Sequence, residues 1–104
     1  HDPAAGPCQG YRLSEAGAVF AYSGDTAWCD SLPDWARDAD VAMIECYQAK
    51  ATGSTVHMDA PTLIARRDEL TAKRLIVTHM GPSMLAPDAP EPAERSYDGM
   101  VIEL

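Results

Sequence analysis

Three apolar runs in this chain each end on a residue that ionises, and that punctuation limits the fold more than any other feature. "VFAYSGDT" passes through β-branched and aromatic residues and stops at Asp25, "VAMIE" stops at Glu45, and "RLIVTH" stops at His79. Short runs of this kind, bounded by turn-forming residues, read as strands. "VAMIECY" is apolar without alternation, as expected of a strand buried on both faces. Between the runs lie two segments of helical character. "CDSLPDWARDAD" offers Asp30 or Ser31 as a cap and Pro33 early in the helix, with Leu32, Trp35 and Ala36 on one side. "DAPTLIARRDEL" has Asp59 as cap and Pro61 in the first turn. Its apolar stripe is Leu63, Ile64 and Leu70, with Arg66, Arg67 and Asp68 outside.

Ahead of these, "GYRL", "SEAG" and "AVFAYS" read as two strands joined by a tight, Gly-containing turn. "QAKATGST" and the Pro-rich "APDAPEPAE" are loops by composition, and "GMVIEL" reads as a closing strand. The order is strand, strand, helix, strand, helix, strand, loop, strand. Strands alternating with helices imply right-handed crossovers and an α/β fold whose sheet is largely parallel, with one antiparallel hairpin. Sites in such sheets gather at the carboxyl ends of the strands. Asp25, Glu45 and His79 fall there.

At 104 residues the chain is at most one domain with a modest core. With 46% hydrophobic and 23% charged residues it is globular in composition. No apolar run approaches the ~18–20 residues that span a bilayer, which excludes a transmembrane reading and gives no reason to expect a membrane partner. The first residues lack the basic and apolar regions of a signal peptide, and the chain opens on His1, as a processed protein or part of a longer one would. Cys8, Cys29 and Cys46 are odd in number and lack CxxC spacing, which points to a reducing, cytoplasmic setting. Each reads as a small buried hydrophobe, with Cys46 noteworthy for its neighbour Glu45. The net charge of −8 argues against a nucleic-acid backbone as partner. Arg66, Arg67, Lys73 and Arg74 read as a solvated helix face.

Taken singly, Asp25 is a turn aspartate and His79 a partly buried histidine bonded to a carbonyl. Glu45 at the end of a buried strand needs a partner or a cation. Together, carboxylates and an imidazole at one rim form a ligand set suited to zinc, manganese or iron. An aspartate-based phosphotransferase also presents an Asp after a strand, but "SGDT" lacks the second acidic residue such enzymes place nearby, and that scheme leaves His79 unexplained.

The series "GYRL", "AYSGDT", "MIECY", "HMDAPTLIARRDEL", "AKRLIVTHMGP" and "YDGMVIEL" resembles the C-terminal half of metallo-β-lactamase-fold hydrolases, in the branch of ribonuclease Z and the small cyclic phosphodiesterases. The resemblance covers nearly the whole chain. It implies the C-terminal half of an αββα sandwich over residues 1–104, a mixed sheet with flanking helices. The HxHxDH motif of the family's N-terminal half is absent from this sequence. By position, Asp25 looks like the aspartate that bridges two metals and His79 like the last histidine ligand. His1 stands where the family has another metal-binding histidine. His57 and Glu45 match a catalytic pair, the histidine contacting phosphate and the glutamate orienting it. Where the branch has Ser-Thr after this histidine, the chain reads Met58-Asp59.

The activity so implied is metal-dependent hydrolysis by the complete protein, with this chain alone inactive. Two zinc ions, or manganese or iron, would supply a bound hydroxide to attack a phosphodiester or other small ester, with a lactone or thioester as the alternative substrate. A non-catalytic fragment or interaction domain of the same fold is the rival reading. Ribonuclease Z inserts a tRNA-gripping arm between "GYRL" and "YSGDT"; a bare hairpin there, with the acidic charge, argues against tRNA. The strands are apolar on both alternations, so two helices leave one face uncovered. Some of Val19, Ala21, Ala42, Ile44, Leu75 and Val77 are expected on that open face, to be covered by the missing half or by a second copy in a homodimer.

Overall fold

The computed structural model describes residues 10–51, 57–97 and 99–102. Strands β1 (Tyr11–Glu15) and β2 (Ala18–Tyr22) form an antiparallel hairpin. Its two-residue turn places Ala16 and Gly17 at φ 52° and 83°, the left-handed pair that matches strand twist in tight hairpins. Helix α1 (Leu32–Ala36), strand β3 (Val41–Glu45), helix α2 (Ala60–Arg66, extended by a 3-10 turn Arg67–Glu69) and strand β4 (Leu75–Thr78) follow. A four-residue helix α3 (Pro82–Leu85) and a two-residue strand β5 (Glu94–Arg95) complete the order. The mixed α/β architecture is the one expected.

The sheet runs β1-β2-β3-β4-β5, with β2 to β5 parallel. Each crossover steps to the next strand in the same direction, and crossovers of one hand then place their helices on one face. That face carries Val19, Ala21, Ala42, Ile44, Leu75 and Val77. The core forms there, where Ala21, Ala42, Ile44 and Val77 pack with Leu32, Trp35, Ala36, Ala60 and Leu63. Val19 and Leu75 are half-buried at its margin. The expectation that some of these six residues line the open face is therefore corrected. Their small members let helices approach closely, and the opposite alternation carries the larger side chains. On that opposite face Tyr11, Leu13 and Tyr22 are 57%, 66% and 38% exposed. Periodicity could not separate two apolar alternations; side-chain size does.

Local chemistry fixes the helices. Asp59 Oδ1 accepts from the Thr62 N–H at 2.7 Å, a formed N-cap, whereas the cap of α1 is Ser31 with no side-chain capping bond. Leu63 and Leu70 are buried, but Ile64, expected in the same stripe, is 42% exposed and lies outside the buried face. The basic residues are largely exposed, as expected of a solvated face, and each has a partner. Arg66 pairs with Glu69 and lies 4.3 Å over the Trp28 ring, Arg67 donates to the Pro92 carbonyl, Lys73 pairs with Asp40 and Arg74 with Glu94. The closing strand expected in "GMVIEL" does not appear among the described residues 99–102; the fifth strand is Glu94–Arg95, at the end of the Pro-rich segment. Among the described residues no helix is long and apolar enough to cross a membrane.

Candidate active site at the carboxyl rim of the sheet

Three parallel strands deliver the site. After β2 the chain turns through Gly24 at φ 63° and presents Asp25; β3 ends on Glu45 and continues to Tyr47; β4 ends one residue before His79. His79 itself adopts φ 51°, a left-handed conformation that costs a non-glycine residue roughly 1–2 kcal/mol. Such strain persists where the surroundings over-determine it, and here it turns the imidazole back toward the β2 loop.

Asp25 Oδ1 and His79 Nε2 stand 3.6 Å apart, both substantially exposed. Two donors bound to one ion at ~2.1 Å in tetrahedral geometry lie ~3.4 Å from each other, so this spacing suits ligands of a common ion. Carboxylate and imidazole are also a donor pair that zinc accepts. Among the described residues no set of three such groups converges, so the pair fits part of a coordination sphere. His1 lies outside the described residues.

Glu45 and His57 form the second pair. Glu45 Oε1 meets His57 Nδ1 at 2.6 Å and accepts the Thr26 N–H at 2.9 Å, while Oε2 accepts the Tyr47 N–H at 3.1 Å. The Glu45 side chain is 1% exposed and that of His57 27%. Burial pushes the Glu45 carboxyl above the usual carboxylate range; the hydrogen bond and charge of His57, then the Thr26 N–H, pull the other way without cancelling it. From below, the Glu45 N–H donates to Ser23 Oγ at 3.1 Å, so a buried polar network ties the β2 loop to β3. Cys46 points into the core, where burial, with the charges of Glu45 and Asp59, pushes its thiol up to about 12. It is an inert thiol.

The two pairs meet through rings. His57 and His79 have centroids 5.4 Å apart, and Tyr47 stacks on His57 at 4.8 Å and tilts against His79 at 5.5 Å. The structure thus brings Asp25, Glu45, His57 and His79 to one rim. Sequence reasoning missed Tyr47, Ser23 and Thr26. The last two stand in the quoted "YSGDT", and Tyr47 lies two residues beyond Glu45, but nothing in the sequence says that their side chains turn inward.

The chain belongs to the family described as the Beta-lactamase superfamily domain, whose model matches residues 1–80. An uncharacterized protein of Mycobacterium leprae, ML1173, is 30% identical over 95 residues, covering 88% of this chain and 34% of that protein. The uncharacterized Mycobacterium tuberculosis protein Rv1339 is 34% identical over 98 residues, covering 88% and 35%. The chain therefore spans about a third of the length of these relatives. Among solved structures, the metallo-β-lactamase fold protein YhfI of Bacillus subtilis matches with TM-score 0.58 at 26% identity, over 67% of this chain and 30% of its own. The short form of human tRNase Z matches with TM-score 0.68 at 20% identity, over 90% and 37%, which shows the fold. A diphosphatase of the PhnP family matches with TM-score 0.62 at 20% identity, over 82% and 35%. The fold is that of a metallo-β-lactamase protein, of which this chain forms part, and metallo-β-lactamase folds generally bind metals.

Proposed function

We propose that this chain supplies the C-terminal share of the active site of a metal-dependent phosphodiester hydrolase. The observation that carries the reading is the buried Glu45–His57 pair, at 2.6 Å, standing beside the Asp25–His79 pair at 3.6 Å. Asp25 and His79 would hold the ions, with His1 as a further ligand. Zinc suits the donors best, with manganese or iron as substitutes. When bound, such ions supply a nucleophile at neutral pH and polarise a phosphoryl oxygen.

The chain's own residues do the rest. With Nδ1 of His57 bonded to Glu45 at 2.6 Å, Nε2 is the nitrogen that would serve a substrate. A protonated Nε2 can hold a non-bridging oxygen or deliver its proton to the departing alkoxide. Glu45 keeps the other nitrogen hydrogen-bonded throughout, so the imidazole emerges in the tautomer ready to take up the next proton.

The two-residue Ala16–Gly17 turn leaves no arm on the hairpin to grip an RNA, and the net charge is −8. A small phosphodiester therefore fits better than the tRNA named for one neighbour, and the diphosphatase neighbour supports phosphate-ester chemistry. The open face with Tyr11, Leu13 and Tyr22 is where an N-terminal half bearing HxHxDH would pack. The setting is a reducing cytoplasm, in keeping with the buried Cys46 thiol.

In the full-length protein, His57→Ala should lower turnover of a chromogenic phosphodiester by roughly 10²–10⁴-fold, the usual worth of a positioned acid or base. A lactone and a thioester assayed alongside decide the bond. Undiminished phosphodiester turnover in the variant, or cleavage of the lactone alone, would overturn the proposal.

A further inference from the structure

Residues from both flanks of β4 enclose a recess of about 720 Å³ that has His79 in its wall. Met43 and Thr78 reach it from the sheet, on the alternation opposite the core-facing Ala42, Ile44 and Val77. Met80 and Leu85 close it from the segment that follows β4. Met100 and Tyr97 close it from the other side. That second wall is brought alongside β4 by backbone bonds, with the Ser96 N–H donating to the Val77 carbonyl and the Met100 N–H to the Tyr97 carbonyl, both at 3.0 Å.

The lining says what fits. Three thioethers are unbranched and polarisable, and they adapt to flat or irregular apolar groups. Thr78, Ser96 and Tyr97 add hydroxyls. Among the described lining residues there is no Lys, Arg, Asp or Glu, so nothing there offsets the cost of desolvating a charge. The volume falls within the roughly 300–1,000 Å³ of small-molecule sites. His79 belongs both to this wall and to the Asp25–His79 pair, whose donor atoms stand 3.6 Å apart. A phosphate held at that pair has the recess as its neighbour. A phosphodiester carries two ester groups, and the leaving one is assigned to His57, which is not among the described residues lining the recess. The recess suits the other.

We infer that the recess beside His79 holds the ester group that stays on phosphorus, and that this group is uncharged, largely apolar and at least the size of an aromatic ring. The inference rests on the hydrolase reading above. In the step it serves, a water oxygen bonds to phosphorus and the bond from phosphorus to the leaving oxygen breaks, its electron pair going to that oxygen. One water proton ends on the leaving oxygen and the other on the phosphate monoester that keeps the retained group.

The test uses the full-length protein and two diesters with the same leaving group, phenyl and methyl p-nitrophenyl phosphate. Even one methylene in an apolar pocket is worth about tenfold or more, so kcat/KM should favour the phenyl ester at least about tenfold after correction for the two rates in hydroxide. A meta-carboxyphenyl ester should lose most of that advantage. Leu85→Asp places a carboxylate in the wall at a position 62% exposed, and the phenyl-to-methyl ratio should fall toward one. A second readout needs no turnover. With isotope-labelled methionine methyl groups, phenyl phosphate should shift the resonances of Met43, Met80 and Met100 and leave those of the core residues Met58 and Met84 in place. If those shifts appear but neither diester is cleaved, the ligand class of the recess stands and the hydrolase reading falls. Equal turnover of the two esters, or methyl resonances of Met43, Met80 and Met100 that do not move because the rest of the protein fills the recess, would overturn the inference and leave the hydrolase reading standing.

Discussion

Replacing Glu45 by alanine should be among the most damaging single changes to this fold, and the structure lets its size be worked out. The carboxylate is the acceptor for two backbone donors, Thr26 N–H at 2.9 Å and Tyr47 N–H at 3.1 Å, and it meets His57 at 2.6 Å. Truncation removes this acceptor from both N–H groups, of which the Tyr47 N–H keeps the Met58 carbonyl at 3.1 Å. Losing the side-chain acceptor of one buried donor costs at most about 1–3 kcal/mol. Removing one partner of a fully buried ion pair costs about 3–5 kcal/mol, an upper bound here because the His57 side chain is 27% exposed. Some cost is recovered because a carboxyl that burial disfavours as an anion is gone. The net loss should be about 2–5 kcal/mol, against the ~5–15 kcal/mol that holds a typical domain.

The assay is urea unfolding of the protein carrying this chain, with wild type and variant compared at equal m-value. The companion Glu45→Gln separates charge from shape. Because the folded state holds the Glu45 proton to higher pH than the unfolded chain does, wild-type stability falls as pH rises from the ordinary carboxylate range through the raised folded value, then levels. Glu45→Gln lacks that titration, so the stability difference should move against wild type across the same window. An alanine variant within about 0.5 kcal/mol of wild type, the usual range for inconsequential surface changes, would refute the claim that this carboxylate organises the rim. So would a wild-type-minus-Gln difference that rises with pH.

Other expectations follow from single contacts. Asp59→Ala removes the cap on Thr62 N–H and should cost about 0.5–2 kcal/mol in the same unfolding experiment. Cys46, with its thiol pushed up to about 12 by burial, should resist alkylation at neutral pH in the folded protein and react once urea unfolds it; labelling with mass detection checks this.

Much of this architecture was legible because the signals were local and mutually consistent. The hairpin, the Asp59 cap with Pro61 behind it, and the buried run "VAMIECY" each carry their own punctuation. What could not be read depends on contacts distant in sequence. The open face of the sheet was assigned to the wrong alternation because both are apolar; the choice lies in which one is small enough for α1 and α2 to close on. Strand β5 is two residues whose ladder is decided by β4, and the "GMVIEL" run has no strand partner among its described residues. At the site, strand ends located Asp25, Glu45 and His79, and the resemblance supplied His57. The left-handed backbone at His79, the inward turn of Ser23 and Thr26, and the Tyr47 ring against two imidazoles are outcomes of packing that no spacing announces.

The central claim is that the rim holds two pairs with separate tasks, Asp25 with His79 for metal and Glu45 with His57 for substrate. The most direct test is the metal-to-protein ratio of the full-length protein, measured by elemental analysis on wild type, Asp25→Ala, His79→Ala and His57→Ala prepared identically. The account predicts a ratio that drops in Asp25→Ala and in His79→Ala and stays at the wild-type level in His57→Ala. Full metal content in the first two variants, or a loss in His57→Ala as large as theirs, would contradict it.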